Sequence, residues 1–285
     1  MGCCQSTGSS SADYSDLSGT QVRGEKISAS ELQRRVQHAT KTCSLKLHAC
    51  RLQEIPSGVT TSSAWKLIDL AYNSISALPE ELSTCSKLRT LAVPHNHITT
   101  IGCNFDQMTS LRRLDVSFNP ICSIPMLPGS LTELDVSGCR ELDIAALGRA
   151  LVPCYSTLQS ISLRGCNLET LPSWIVNLTA LIVLDVSDCA ALASLELPAG
   201  TSWSALSSLA QLRAAGCPAL AEHGDLSKSL LEDSSVHTLV LTGSGFTQSG
   251  LQRMPGMQAY IQRHTARADK AMSGGGAAST TLCQV

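Results

Sequence analysis

The sequence is poor in aromatic residues, at 4% Phe, Trp and Tyr, and poor in charge, at 15%. Its 21 Lys and Arg meet 23 Asp and Glu, a formal net charge of −2, so the basic excess that phosphate backbones demand is missing. A nucleic-acid partner is not expected. No stretch approaches the ~20 apolar residues of a membrane-spanning helix. The N-terminus also lacks the basic start and apolar run of a secretory signal. What is present is 43% hydrophobic residues in a chain of 285, enough for a sizeable core and too much for wholesale disorder. With so few aromatics, that core must be built from thin aliphatic layers.

The 13 cysteines raise disulfides, zinc or plain buried thiols. Without a secretory signal the expected setting is cytosolic and reducing, which disfavours disulfides. The first six residues, Met-Gly-Cys-Cys-Gln-Ser, carry a different message. Gly2 followed by Ser6 fits N-myristoylation, and Cys3 and Cys4 sit where palmitate is added. One myristoyl chain binds a bilayer only marginally, and residues 1–22 hold no Lys or Arg to help it. The second signal would then be acylation of Cys3, Cys4 or both. The expected location is the cytoplasmic face of a membrane, with a cytosolic pool.

A spacing of L-x-x-L-x-L-x-x-N/C recurs along most of the chain. Trp65, Ile68, Leu70, Asn73 and Ile75 form one copy. Leu88, Leu91, Val93, Asn96 and Ile98 form the next, and Leu111, Leu114, Val116, Asn119 and Ile121 a third. Their starts are 23 residues apart. A shorter copy precedes them (Leu45, Leu47, Cys50, Leu52), and later copies centre on Cys139, Cys166, Cys189, Cys217 and Phe246. About nine repeats result. The L-x-L part predicts a short strand with its leucines inward, and stacking predicts a parallel sheet along one face of a curved solenoid. Five cysteines (Cys50, Cys139, Cys166, Cys189, Cys217) occupy one repeat position rather than CxxC pairs, so they read as structural thiols, and no metal is expected.

A stacked core needs caps. Ser28 with Glu31 three residues on is a capping-box signature, opening a helix that carries Leu32, Val36 and Ala39 on one face. Residues 1–27, rich in Ser and Gly, read as a flexible tether and 28–272 as the repeat domain with its caps. Met257, Tyr260, Ile261 and His264 predict a closing helix whose Arg253, Arg263, Arg267 and Lys270 form a solvated face; 273–285 read as a disordered tail.

The repeat pattern resembles the leucine-rich-repeat family, in particular its intracellular short-repeat class with Leu-Pro or Ile-Pro steps such as Leu78-Pro79 and Leu171-Pro172. Residues 32–56 and the closing run Phe246, Leu251, Gly256, Tyr260, Arg263 and Lys270 resemble the family of leucine-rich repeat-containing protein fifty-seven. That resemblance implies an α/β solenoid and a myristoylated, membrane-associated protein without enzymatic activity. The Ser-rich tether, the Cys3-Cys4 pair and intervals of 27 and 28 residues after position 131 depart from it.

No nucleophile motif, phosphate loop or ligand-type cluster stands out, so no enzyme, cofactor or small-molecule substrate is expected. Asp69, Asp115, Asp135 and Asp185 fall between the inward residues of successive strands, where aspartate is commonly just solvated. Binding is better supported. The residue before the Asn position is Tyr72, His95 and Phe118 in three consecutive copies, predicted to project from the exposed face of the strands. Arg113 and Asp115 flank this run, and Lys46, His48 and Asp69 extend it. Aromatics on a rigid concave surface are typical partner anchors. Gly138, Gly165, Gly216 and Gly243 leave a flatter half that would admit an extended peptide. The expectation is a monomeric, lipid-anchored scaffold for a protein partner. The alternative is a regulatory subunit of a phosphatase or small-GTPase pathway.

Overall fold

A computed structural model of the chain describes residues 26–222 and 226–273. Gly2, Cys3 and Cys4, nearly all of the 1–27 tether, and the tail after Ser273 lie outside the described residues.

Each L-x-L step forms a three-residue strand. These are β1 (Ser44–Lys46), β2 (Leu67–Asp69), β3 (Thr90–Ala92), β4 (Arg113–Asp115), β5 (Glu133–Asp135), β6 (Ser160–Ser162), β7 (Val183–Asp185), β8 (Gln211–Arg213) and β9 (Thr238–Val240). They lie side by side in chain order as one parallel sheet. The register never slips: Leu45, Ile68, Leu91, Leu114, Leu134, Ile161, Leu184, Leu212 and Leu239 form a single row. Two residues on, Leu47, Leu70, Val93, Val116, Val136, Leu163, Val186, Ala214 and Leu241 form a second buried row. Side-chain alternation sends the residues between them to the solvent side. A one-residue slip anywhere would expose a whole strand's aliphatics, which is why nine short strands hold one frame.

The unequal repeat lengths are absorbed on the opposite side. Most repeats return through a short 3-10 turn such as Glu80–Thr84 or Ser173–Asn177, whereas the 27-residue interval holds the helix Ile144–Ala150. That helix is capped by Asp143, whose carboxylate accepts from the Ala145 and Ala146 amides.

The Asn/Cys position ties neighbouring turns together. Asn73 Nδ2 donates to Leu47 O, Asn96 Nδ2 to Leu70 O and Asn119 Nδ2 to Val93 O, each one repeat back, at 2.8–3.0 Å. Each Oδ1 also accepts a backbone N–H from the repeat before: Leu52, Ile75 and Ile98. From Cys139 onward a thiol replaces the amide and makes only the donated half. Cys139, Cys166, Cys189 and Cys217 Sγ donate to Val116, Val136, Leu163 and Val186 O at 3.3–3.4 Å. In these turns the amides of Leu142, Leu192 and Leu220 bond to the carbonyls of Cys139, Cys189 and Cys217, so the turn closes on itself. Burial pushes the thiols up, to about 11 for Cys139 and Cys217 and about 12 for Cys166, and keeps them protonated donors.

Both ends are closed by helices. Ser28 Oγ accepts from the Glu31 amide and starts the helix Ala29–Thr42, with Val36 and Ala39 buried against β1. Only half of the expected box forms, because the Glu31 carboxylate binds Arg34 and Arg35 instead. At the far end the helix Met257–Ser273 covers β9. The Tyr260 hydroxyl accepts from the Leu239 amide at 3.1 Å, satisfying a backbone donor on the last strand. Arg263 corrects the expectation of a solvated face. Its guanidinium donates to the carbonyls of Leu231, Glu232 and Val236, capping the short helix Lys228–Glu232.

Candidate partner-binding site

Three residues past the last residue of each strand, the chain turns through a left-handed conformation. The residues there are Ala49, Tyr72, His95, Phe118, Gly138, Gly165, Asp188, Gly216 and Gly243, all with φ between 53° and 72°. Just before the turn the sheet bonding continues, with the Tyr72, His95 and Phe118 amides donating to Pro94, Ser117 and Ser137 carbonyls. This changes the meaning of the register. Tyr72, His95 and Phe118 do not project from the strands; they stand in the turns at the sheet's edge. The glycines of the later repeats are where a left-handed backbone costs least.

The rings at this register stack on one another. Tyr72 and His95 centroids are 4.3 Å apart at 13°, and His95 and Phe118 are 4.3 Å apart at 7°. His48, one residue earlier in its own repeat, joins from the N-terminal side at 4.9 Å and 57°. The three central rings are half-buried and His48 is exposed. The spacing is close to the ~4.7–4.9 Å between strands, so the sheet itself sets the stack. The far face of Phe118 leans over Gly138, where a Cβ would stand 2.6 Å from its ring.

The strand residues beside the stack form a row of acids. Asp115 and Asp135 are register partners across β4 and β5, and Asp69 and Asp185 hold the same place in β2 and β7. Rather than being merely solvated, each closes a local loop. Asp115 Oδ1 accepts from the Ser117 amide and hydroxyl, and Asp135 does the same with Ser137. Asp69 and Asp185 accept from the amides of Ala71 and Ser187. Burial, with Asp135 alongside, raises the Asp115 carboxyl above the usual aspartate range. Arg113 pairs with Glu133 at 2.5 Å on the exposed side, and Lys46 lies exposed on β1. The residues the sequence nominated (Lys46, His48, Asp69, Tyr72, His95, Arg113, Asp115, Phe118) thus share the first four repeats, on the sheet's solvent side and edge. Among the described residues no group of three or more His, Cys, Asp or Glu is placed to hold a metal.

Two family models, both described as leucine rich repeat, match residues 68–121 and 157–178. Together with the nine-stranded single-register sheet they decide the fold. The protein is a leucine-rich-repeat solenoid. It is similar to the functional domain of InlJ from Listeria monocytogenes, which includes a cysteine ladder: 22% identity, TM-score 0.52, covering 76% of this chain and 42% of that one. It is also similar to the plant peptide hormone receptor RGFR1 in complex with RGF2, at 20% identity and TM-score 0.47, covering 69% and 36%. The solenoid spans less than half the length of either. No curated protein matches it.

Two features of the solenoid's edge go beyond the shared register of the nominated run. His48, expected as an extension of that run, sits off the register yet completes the stack. Arg164 and Asp188, unremarkable in the sequence, form an ion pair at 2.6 Å beyond its far end. The only signal for the second was Asp188 standing where the neighbouring repeats have glycine.

Proposed function

We propose that this solenoid is a scaffold that holds a protein partner against the edge lined by His48, Tyr72, His95 and Phe118. Leucine-rich-repeat domains characteristically mediate protein–protein interaction through their extended concave surfaces. The observation that carries the reading here is the energetic position of the stack. A bulky side chain in the left-handed region costs ~1–2 kcal/mol, and this chain accepts that at Tyr72, His95 and Phe118 in succession. Ring pairs return ~0.5–1.5 kcal/mol each, so two stacked pairs and one tilted pair at most offset three strained residues. Folding stability therefore gives small reason to keep rings there, whereas recognition gives a good one.

The proposal extends to the membrane. Gly2 would carry myristate and Cys3 and Cys4 palmitate, which together would give the stable anchoring a single chain does not. The protein would then present its partner at a cytoplasmic membrane surface. Fractionation tests the anchor: Gly2→Ala should move the protein to the soluble fraction, and Cys3→Ser with Cys4→Ser should leave only loose binding. An unchanged membrane fraction would sink it. Tyr72→Ala with Phe118→Ala should reduce recovery of the native partner while the melting temperature stays within a few degrees of wild type. Undiminished recovery would place the interface elsewhere.

A further inference from the structure

The ring stack does not stop because the register ends; it stops because the chain runs out of side chains. Beyond Phe118 the next two positions at the same turn are Gly138 and Gly165, and side chains resume only at Asp188. The gap forms a recess of about 280 Å³ lined by Phe118, Gly138, Arg140, Arg164, Gly165 and Asp188. One wall is the Phe118 ring, whose other face is occupied by His95. The floor is bare backbone: a Cβ on Gly165 would meet nothing closer than Gly138 backbone at 3.8 Å. Arg164 also lines the recess, its guanidinium held by the Asp188 carboxylate through Nε and Nη2 at 2.6 Å. Asp188 itself leans away, over Gly216. Arg140 stands exposed at the rim, with no ion-pair partner among the described residues.

We infer that this recess receives one aromatic side chain of the partner, inserted between Phe118 and Arg164 as a further ring of the stack, with a neighbouring acidic residue of the partner on Arg140. Size, shape and charge each narrow the occupant. The volume falls just below the ~300–1,000 Å³ of sites that enclose whole small molecules, and suits a single large side chain. The lining includes an aromatic ring and a guanidinium, both groups that favour a flat π-system. Arg164 is already neutralised by Asp188, so it contributes a stacking surface, whereas the uncompensated charge at the rim is that of Arg140 and calls for a carboxylate. The occupant is therefore an extended segment presenting Tyr, Phe or Trp next to Asp or Glu. This inference rests on the partner-binding reading above and adds the chemistry that the partner must present.

The test titrates the full-length protein with three capped tripeptides, acetyl-Glu-Tyr-Glu-amide, acetyl-Glu-Ala-Glu-amide and acetyl-Lys-Tyr-Lys-amide, following backbone amide resonances. Glu-Tyr-Glu should shift the Gly138 and Gly165 amides and saturate, and the other two should bind about ten-fold more weakly or worse. Arg140→Glu should cost Glu-Tyr-Glu a similar factor. Gly165→Asn should abolish binding by filling the recess; asparagine tolerates the left-handed backbone and its Cβ would make only ordinary contacts at 3.8 Å, so the fold is kept. Equal binding of the three peptides, shifts confined to other repeats, or no binding at all would overturn the inference. If the recess variants leave native-partner recovery intact while Tyr72→Ala with Phe118→Ala removes it, the scaffold reading stands and the recess assignment falls.

Discussion

The ring of Phe118 occupies the space that a side chain at position 138 would need: a Cβ on Gly138 would lie 2.6 Å from its Cδ1 and 2.8 Å from its Cε1. The glycine thus serves two repeats at once, giving its own turn a φ of +69° and giving the stack its last wall.

Gly138→Ala should accordingly cost ~1–2 kcal/mol from the backbone alone, and more from displacing Phe118. A double-mutant cycle separates the two. With Phe118→Ala already in place, the added cost of Gly138→Ala should shrink by at least ~0.5 kcal/mol, measured by chemical denaturation. Strictly additive effects would show that the two residues do not meet.

The asparagine and cysteine ladders make different bonds, and substitution should expose the difference. Asn96→Ala removes a donor to Leu70 O and the acceptor of the Ile75 amide, both buried, and should cost about 3 kcal/mol. Asn96→Cys restores only the donated bond and should fall between alanine and wild type. Equal costs for the two variants would mean that the thiol bonds contribute nothing.

Asp115 should make the protein's stability depend on pH in a definite direction. Its folded carboxyl is raised by burial and by Asp135, so the folded state holds the proton more tightly than the unfolded chain. The group's contribution is therefore most favourable below the unfolded value and declines as pH rises through the folded one. Asp115→Asn keeps an acceptor for Ser117 and removes the charge, so its stability relative to wild type should improve between pH 3 and pH 7. A relative loss over that range would reverse the sign assigned here.

Most of the fold was legible in the sequence because the solenoid is nearly one-dimensional: each repeat reads its neighbours at a fixed offset, and a period in sequence becomes a row in space. Leu45 to Leu239 is one such row. The candidate site was only half legible. Tyr72, His95 and Phe118 could be found by their shared offset, but their left-handed backbone is set by bonds to the following repeat, which no local pattern encodes. His48 breaks the offset and was found only as an extension. Arg263 looked like one charge on a basic helix because its three carbonyl partners lie 27 to 32 residues upstream. The glycines looked like smoothness and are turn geometry.

Thiol chemistry should follow burial. In a variant with Cys3, Cys4 and Cys283 changed to Ser, Cys43 and Cys122 are the two half-buried thiols and the other eight are buried. Burial also pushes Cys103 up to about 12 and Cys154 to about 11, so little thiolate exists at neutral pH. A maleimide reagent should modify two thiols quickly under native conditions and the remainder only on unfolding. Fast labelling of Cys166 would contradict the sealed ladder.

The central claim is that the partner sits on the aromatic edge of the first repeats. Photo-crosslinking tests it most directly, with p-benzoylphenylalanine at position 72 on that edge or at position 107, an exposed turn on the opposite side of the same repeats. The account predicts a discrete covalent adduct from position 72 that disappears with Phe118→Ala, and none from position 107. Adducts from 107 alone, or the same adducts from both positions, would contradict it.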